Sequence, residues 1–255
     1  MRVYVLNNGL NVNSVKKDLI YCDDPDERFD FPSWTVLIRH PEGNLLYDAA
    51  CHTDPERQAR FILDCLQMTP EDEPVNRVRE AGVEPENVDH ILLSHMHPDH
   101  FGYIDSFPNA EIIVSDNEFS GILKDTATGK FPFDKDIIRF IQRKLKWRLF
   151  DDSVKFEKLF DKVTIVNFGR GHSYGMLGLL LELEEGNKLL VSDAIYSSEN
   201  IGPPLRMPGI CRDPENWLKT MEFILAFAKE NNAEVWHGHD LAQFETLKKS
   251  PEYYE

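Results

Sequence analysis

The sequence predicts an α/β chain forming one domain over residues 1–255, with two packed β-sheets flanked by helices placed just ahead of a doubly wound sheet. Two observations predict it. Short apolar, β-branched runs come in two batches, each followed by helical stretches, and no internal repeat, low-complexity segment or linker divides them. With 255 residues, 42% of them hydrophobic and 28% charged, the chain also has the material for a large core. The same composition argues against other classes. No apolar run approaches the roughly 20 residues that a bilayer demands. A net charge of −16 repels phosphate backbones. The basic residues Arg139, Arg143, Lys144, Lys146 and Arg148 read as one local helix face, so neither membrane nor nucleic acid is expected as a partner. The opening Met1–Asn8 reads as a strand, with no long apolar segment behind its basic residue. Cys22, Cys51, Cys65 and Cys211 are scattered without a CxxC pair, as reduced thiols would be. A cytoplasmic location is the expectation, and a homodimer is compatible with it.

The elements follow in order. Strands are expected over Arg2–Leu6, Trp34–Arg39, Asn44–Asp48, His90–Ser94, Glu111–Ser115, Val163–Phe168, Leu177–Leu183, Lys188–Ser192 and Glu234–Trp236. The turn His40-Pro41-Glu42-Gly43 makes a hairpin of the second and third. Helices are expected over Pro55–Met68, Pro74–Ala81, Phe101–Phe107, Asp134–Phe150 and Asp213–Asn231. In the last, Asp213 caps the N-terminus, Pro214 takes the first position, and Trp217, Met221, Ile224, Leu225 and Ala228 recur at helical spacing. In the region from Phe131 to Phe160, Ile137, Ile141, Leu145 and Leu149 recur every fourth residue. That spacing reads as the buried stripe of the fourth helix, and the Phe131–Phe133 turn reads as the wall of a pocket.

Chemistry is concentrated in His95-Met96-His97-Pro98-Asp99-His100, where an apolar strand runs into a loop carrying three imidazoles and a carboxylate. His95 and His97, two apart on extended backbone, can point the same way. Imidazole with carboxylate suits zinc, iron or manganese, and so many ligand-type groups would waste desolvation energy if buried without a metal. Three complements stand at other strand ends: His172 in Gly171-His172-Ser173, Asp193 in Ser192-Asp193-Ala194, and His239 in His237-Gly238-His239-Asp240. His40, His52 and His90 carry no motif and read as structural or exposed.

His-x-His-x-Asp-His followed by strand-end Gly-His-Ser, Ser-Asp-Ala and Gly-His-Asp resembles the metallo-β-lactamase superfamily, and the resemblance covers nearly the whole chain. It implies a four-layer αββα sandwich with two divalent metal ions at one edge of the sheets, zinc first, with iron, manganese or cobalt also accepted by such donors. Carried over, His95, His97 and His172 would hold one ion, Asp99, His100 and His239 the second, and Asp193 would bridge them. His237 is left as a supporting or surface group. Asp193-Ala194-Ile195-Tyr196 and the terminal Gly238-His239-Asp240 are similar to the N-acyl-homoserine lactone lactonases and the 4-pyridoxolactonases. So is the entry Phe31-Pro32-Ser33-Trp34 into a strand. The resemblance implies a quorum-quenching hydrolase that opens a small-molecule lactone with a metal-bridging hydroxide. Asp99 and Asp193 would be its catalytic carboxylates, and Tyr196 would donate to the carbonyl oxygen. The alternatives it keeps open are a 4-pyridoxolactonase, another ester or thioester hydrolase, and an iron-dependent persulfide dioxygenase. Two departures stand out. Asp48-Ala49-Ala50 replaces the family's Asp-Thr-Gly, with Asp48 still expected to orient the histidine loop. Met176 replaces an outer histidine and bears on the choice of substrate.

Overall fold

The computed structural model describes residues 1–57, 63–130 and 134–255. Twelve strands are named in chain order: β1 Arg2–Val15, β2 Arg28–His40, β3 Gly43–Tyr47, β4 Leu66–Gln67, β5 His90–Leu92, β6 Glu111–Ser115, β7 Lys146–Phe150, β8 Phe156–Phe160, β9 Val163–Gly169, β10 Met176–Leu181, β11 Asn187–Ser192 and β12 Ala233–His237. The helices are α1 Lys16–Leu19, α2 Pro74–Glu80, α3 Pro98–Phe101, α4 Asp116–Ala127, α5 Asp134–Gln142, α6 Ser198–Ile201, α7 Pro214–Glu230 and α8 Leu241–Thr246. Among the described residues the strands form a seven-stranded sheet, β4-β1-β2-β3-β5-β6-β7, and a five-stranded sheet, β12-β11-β10-β9-β8.

Period-two alternation assigns the layers. Val3 and Val5 on β1, Val36 and Ile38 on β2, and Leu45 and Tyr47 on β3 turn inward to meet Val163, Ile165, Leu177, Leu179 and Trp236 of the second sheet. The intervening Tyr4, Leu6, Leu37 and Leu46 face the other way, onto Val78 of α2, Phe101 of α3 and Ile122 of α4. On the far side, Val166, Leu180, Leu189 and Val191 pack against Trp217, Met221 and Ile224 of α7. Both sheets are therefore covered on both faces, which is the αββα sandwich. No helix among the described residues is long and apolar enough to cross a membrane.

Several boundaries differ from the sequence reading. The helix expected over Asp134–Phe150 stops at Gln142; Lys144 turns left-handed at φ 54° and Lys146–Phe150 becomes β7, paired in parallel with β6. Of the four-residue stripe, Ile137 is buried, but Ile141 and Leu149 are 46% and 44% exposed. Pairing to an open sheet edge outweighed the helical spacing. The expected helix Phe101–Phe107 is instead α3 followed by a 3₁₀ turn at Ile104–Ser106. Leu66–Gln67, expected at the end of a helix, pairs with β1 at Leu10 and Asn11; residues 58–62 of that helix lie outside the described residues, as does the Phe131–Phe133 turn. Elements absent from the sequence reading are also present, among them α1, β8, α4, α6 and α8.

Candidate metal centre

All seven predicted donors lie at one edge of the sandwich. The loop between β5 and α3 carries His95 and His97, and α3 carries Asp99 and His100; His172 follows β9, Asp193 follows β11 and His239 follows β12. Two groups of ligand atoms form, each within 4.8 Å: His95, His97, His172 and Asp193, and Asp99, His100, Asp193 and His239. Asp193 belongs to both. In the first set, His172 Nε2 is 3.1 Å from His95 Nε2 and 2.9 Å from His97 Nδ1, and Asp193 Oδ2 is 3.6 and 3.5 Å from His95 Nε2 and His172 Nε2. In the second, His100 Nε2 is 3.5 Å from Asp99 Oδ2 and 3.4 Å from Asp193 Oδ2, and His239 Nε2 is 3.1 Å from Asp193 Oδ1. Tetrahedral zinc with bonds of 2.0–2.2 Å places its donors about 3.3–3.6 Å apart. The donors fit a metal on a second count as well. His100 Nε2, His239 Nε2 and Asp193 Oδ1 are buried with no hydrogen-bond partner, an expensive state unless an ion satisfies them.

The opposite edge of four of these rings is held. Asp48, at the end of β3 with φ 61°, accepts from Ser94 N at 2.7 Å, from Ser94 Oγ at 2.8 Å and from His100 Nδ1 at 2.8 Å. Ser94 Oγ in turn meets His95 Nδ1 at 3.0 Å. His172 Nδ1 donates to Ile210 O at 2.8 Å and His239 Nδ1 to Pro32 O at 2.9 Å. Each contact leaves Nε2 free to face the centre. Trp34 Nε1 donates to Gly238 O at 2.6 Å and ties the His239 loop to β2, while Phe31 packs edge-on against His239.

Charge differs between the two sets. Burial pushes the His95, His97 and His172 imidazoles down, His97 to about 3, so all three are neutral donors. Burial acts the same way on His100 and His239, but Asp193 and Asp99 override it and raise both. Burial would raise the two carboxyls, yet the facing imidazoles hold Asp193 well below the usual range and Asp99 at about 2. Tyr196 is buried between the rings of His172 and His239, at 5.3 and 5.5 Å between centroids. Burial, with Asp193 and Asp99 nearby, pushes its phenol well above the ordinary value, so it stays a neutral donor. Its Oη is 3.4 Å from His172 Nδ1, which already donates to Ile210 O.

Residues 28–239 match the family described as the Metallo-beta-lactamase superfamily. The chain belongs to that superfamily. It is 33% identical over 237 residues to the N-acyl homoserine lactonase AiiB of Agrobacterium fabrum, covering 89% of this chain and 86% of that one. A solved N-acyl homoserine lactone hydrolase with the product N-hexanoyl-L-homoserine at its catalytic metal centre superposes with a TM-score of 0.79, at 24% identity over 99% of this chain and 98% of that one. AidC, a dizinc quorum-quenching lactonase in complex with a product, gives 0.69 at 18% identity, over 99% and 93%.

Within the superfamily fold, Met176 is buried in the layer between the second sheet and α7, so this departure from the family falls in the core. His237 lies outside both donor sets; its Nδ1 faces Gln243 Oε1 at 3.1 Å. His52 stacks on Tyr103 and His40 on Phe160. The sequence reading missed Glu118. This fully buried carboxylate on α4 accepts from Met96 N in one histidine loop and from Ser173, Tyr174 and Gly175 in another. Its only local signal is Ser115, three residues ahead, which caps α4 by accepting from Glu118 N.

Proposed function

We propose that the chain is a dinuclear metal-dependent lactonase that opens N-acyl homoserine lactones. The observation that carries the reading is the pair of donor sets joined at Asp193, with the neutral phenol of Tyr196 beside them. His95, His97, His172 and Asp193 would hold one ion, and Asp99, His100, His239 and Asp193 the other. Two divalent ions there, zinc by first expectation, would supply a hydroxide at neutral pH and an electrophile for the carbonyl oxygen. Tyr196 Oη donates to that oxygen as negative charge develops on it. The Asp99 side chain is 30% exposed against 3% for Asp193, which makes Asp99 the carboxylate facing the solvent side. Starting ionised, Asp99 takes the remaining proton of the hydroxide once it has added to the carbonyl carbon and gives it to the ring oxygen as the ester C–O bond breaks, leaving a hydroxy carboxylate.

The relatives support the substrate class: AiiB, at 33% identity, is an N-acyl homoserine lactonase. The complete second donor set favours this reading over an oxidation on one metal. Metal content per chain, measured beside ring opening of short- and long-chain N-acyl homoserine lactones with a pH indicator, tests it. Two equivalents and metal-dependent ring opening are expected. Two-metal protein that opens none of these lactones overturns it, as does oxygen uptake with a persulfide substrate.

A further inference from the structure

We propose that Glu118 is a positioning residue that sets His95 and His97 against His172, with α4 the template on which the first donor set is assembled. The inference rests on reading the two donor sets as metal sites. Glu118 touches no ligand atom; its carboxylate sits behind two ligand loops that come from different sheets. Oε1 accepts from Met96 N, between His95 and His97, at 2.8 Å. Oε1 and Oε2 accept from Ser173 Oγ at 2.9 and 2.7 Å, and Oε2 accepts from Tyr174 N at 2.9 Å and Gly175 N at 3.1 Å, the three residues after His172. Four donor groups thus converge on one buried carboxyl group with no water-facing side, a geometry that ties the two backbones to one point.

The rest of the helix face is shaped for the same loop. A Cβ on Gly121 would lie 2.2 Å from the Tyr174 ring, and a Cβ on Gly175 would lie 2.0 Å from Ser115 Oγ, so both glycines are needed for the loop to lie flat on α4. Two turns beyond Glu118, Asp125 accepts from Tyr174 Oη at 2.9 Å and from Arg212 at 3.0 Å, and the Arg212 guanidinium lies 3.8 Å over the Tyr174 ring. Arg212 N in turn donates to His172 O, and Ile210, two residues earlier, supplies the carbonyl that orients the His172 ring. Glu118, Gly121 and Asp125 of α4 thus all bear on the loop after His172, which is held from its other side by Asp213 N on Gly171 O.

The test is a cobalt titration of the folded chain, read by visible absorbance. Wild type is expected to take two equivalents. A His239→Ala background then isolates the first set. In that background Glu118→Gln, which sets an amide N–H among N–H donors, is expected to weaken the remaining cobalt site 10–100-fold and to change its d–d band. In the wild-type background the other equivalent should bind as before. A carboxylate that merely stabilised the fold would lower Tm and leave the first-set affinity and spectrum unchanged, and that result overturns the inference. Wild type taking no cobalt overturns the reading of the donor sets and this inference with it. If Glu118→Gln is not recovered folded, Ser173→Ala removes one of the four donor groups without stranding a charge. The same spectral change, smaller, is then expected, and an unchanged spectrum overturns the proposal.

Discussion

The two sheets contribute to the centre in opposite ways. The seven-stranded sheet delivers four donors from six consecutive residues, His95 to His100, and backs them with side chains: Asp48 behind His100, and Ser94 behind His95. The five-stranded sheet delivers His172, Asp193 and His239 from three separate strand ends, and its two rings are backed by main-chain carbonyls, Ile210 O and Pro32 O. One half of the centre is thus held by groups that a single substitution removes. The two rings of the other half are oriented by main-chain carbonyls that persist whatever side chain they carry, with Glu118 gripping the His172 loop from behind. The difference teaches where the centre is fragile: at its contiguous loop, even though that loop looks the more self-sufficient.

The largest effect is expected where the halves meet. Asp193→Ala, which removes the carboxylate common to both donor sets, should cost both metal equivalents and lower kcat/KM by more than about 10³-fold, the upper range for losing a single oxyanion donor. Metal analysis of the purified variant checks it, and one retained equivalent would show that the sets are independent. Metal removal comes next. Ions present at 1,000 times their Kd stabilise by about 4 kcal/mol per site. Chelation should therefore lower Tm by roughly 10 °C for each site emptied in a chain of this size. Differential scanning calorimetry with and without chelator reads it.

Tyr196→Phe should leave both metals bound and lower kcat by about 10²–10³-fold with little change in KM. Asp48→Asn tests the contiguous half. It should weaken the ion held by His100 10–100-fold while the equivalent bound through His172 stays. Ile210→Ala tests the other half and is the smallest effect: the carbonyl to His172 remains, so metal affinity should stay within about twofold, as for surface changes of about 0.5 kcal/mol. Equal losses in these last two variants would break the comparison.

Legibility in the sequence tracked the same division. His95 to His100 could be read directly because consecutive residues on a strand and its loop have directions fixed by local backbone geometry. The cores of β1 and β2, Arg2–Leu6 and Trp34–Arg39, were readable for the same reason. Helix α4 was not: Ser120 and Gly121 are poor helix formers in its middle. They are tolerated because Tyr174, 53 positions downstream of Gly121, lies against the glycine. The end of α5 and the start of β7 were also hidden, since the four-residue spacing runs on while pairing with β6 decides the outcome.

By itself, the sequence determined the α/β class, the run of donors after β5, and the residue types waiting at the ends of β9, β11 and β12. Each depends on period, composition or close spacing, which are properties of short stretches of chain. Only the tertiary structure decided that main-chain carbonyls hold His172 and His239, and that Glu118 ties two ligand loops together. Those facts depend on strand order and on backbone brought together from distant positions. No local pattern encodes them, because burial and long-range pairing are settled only when both sheets have packed.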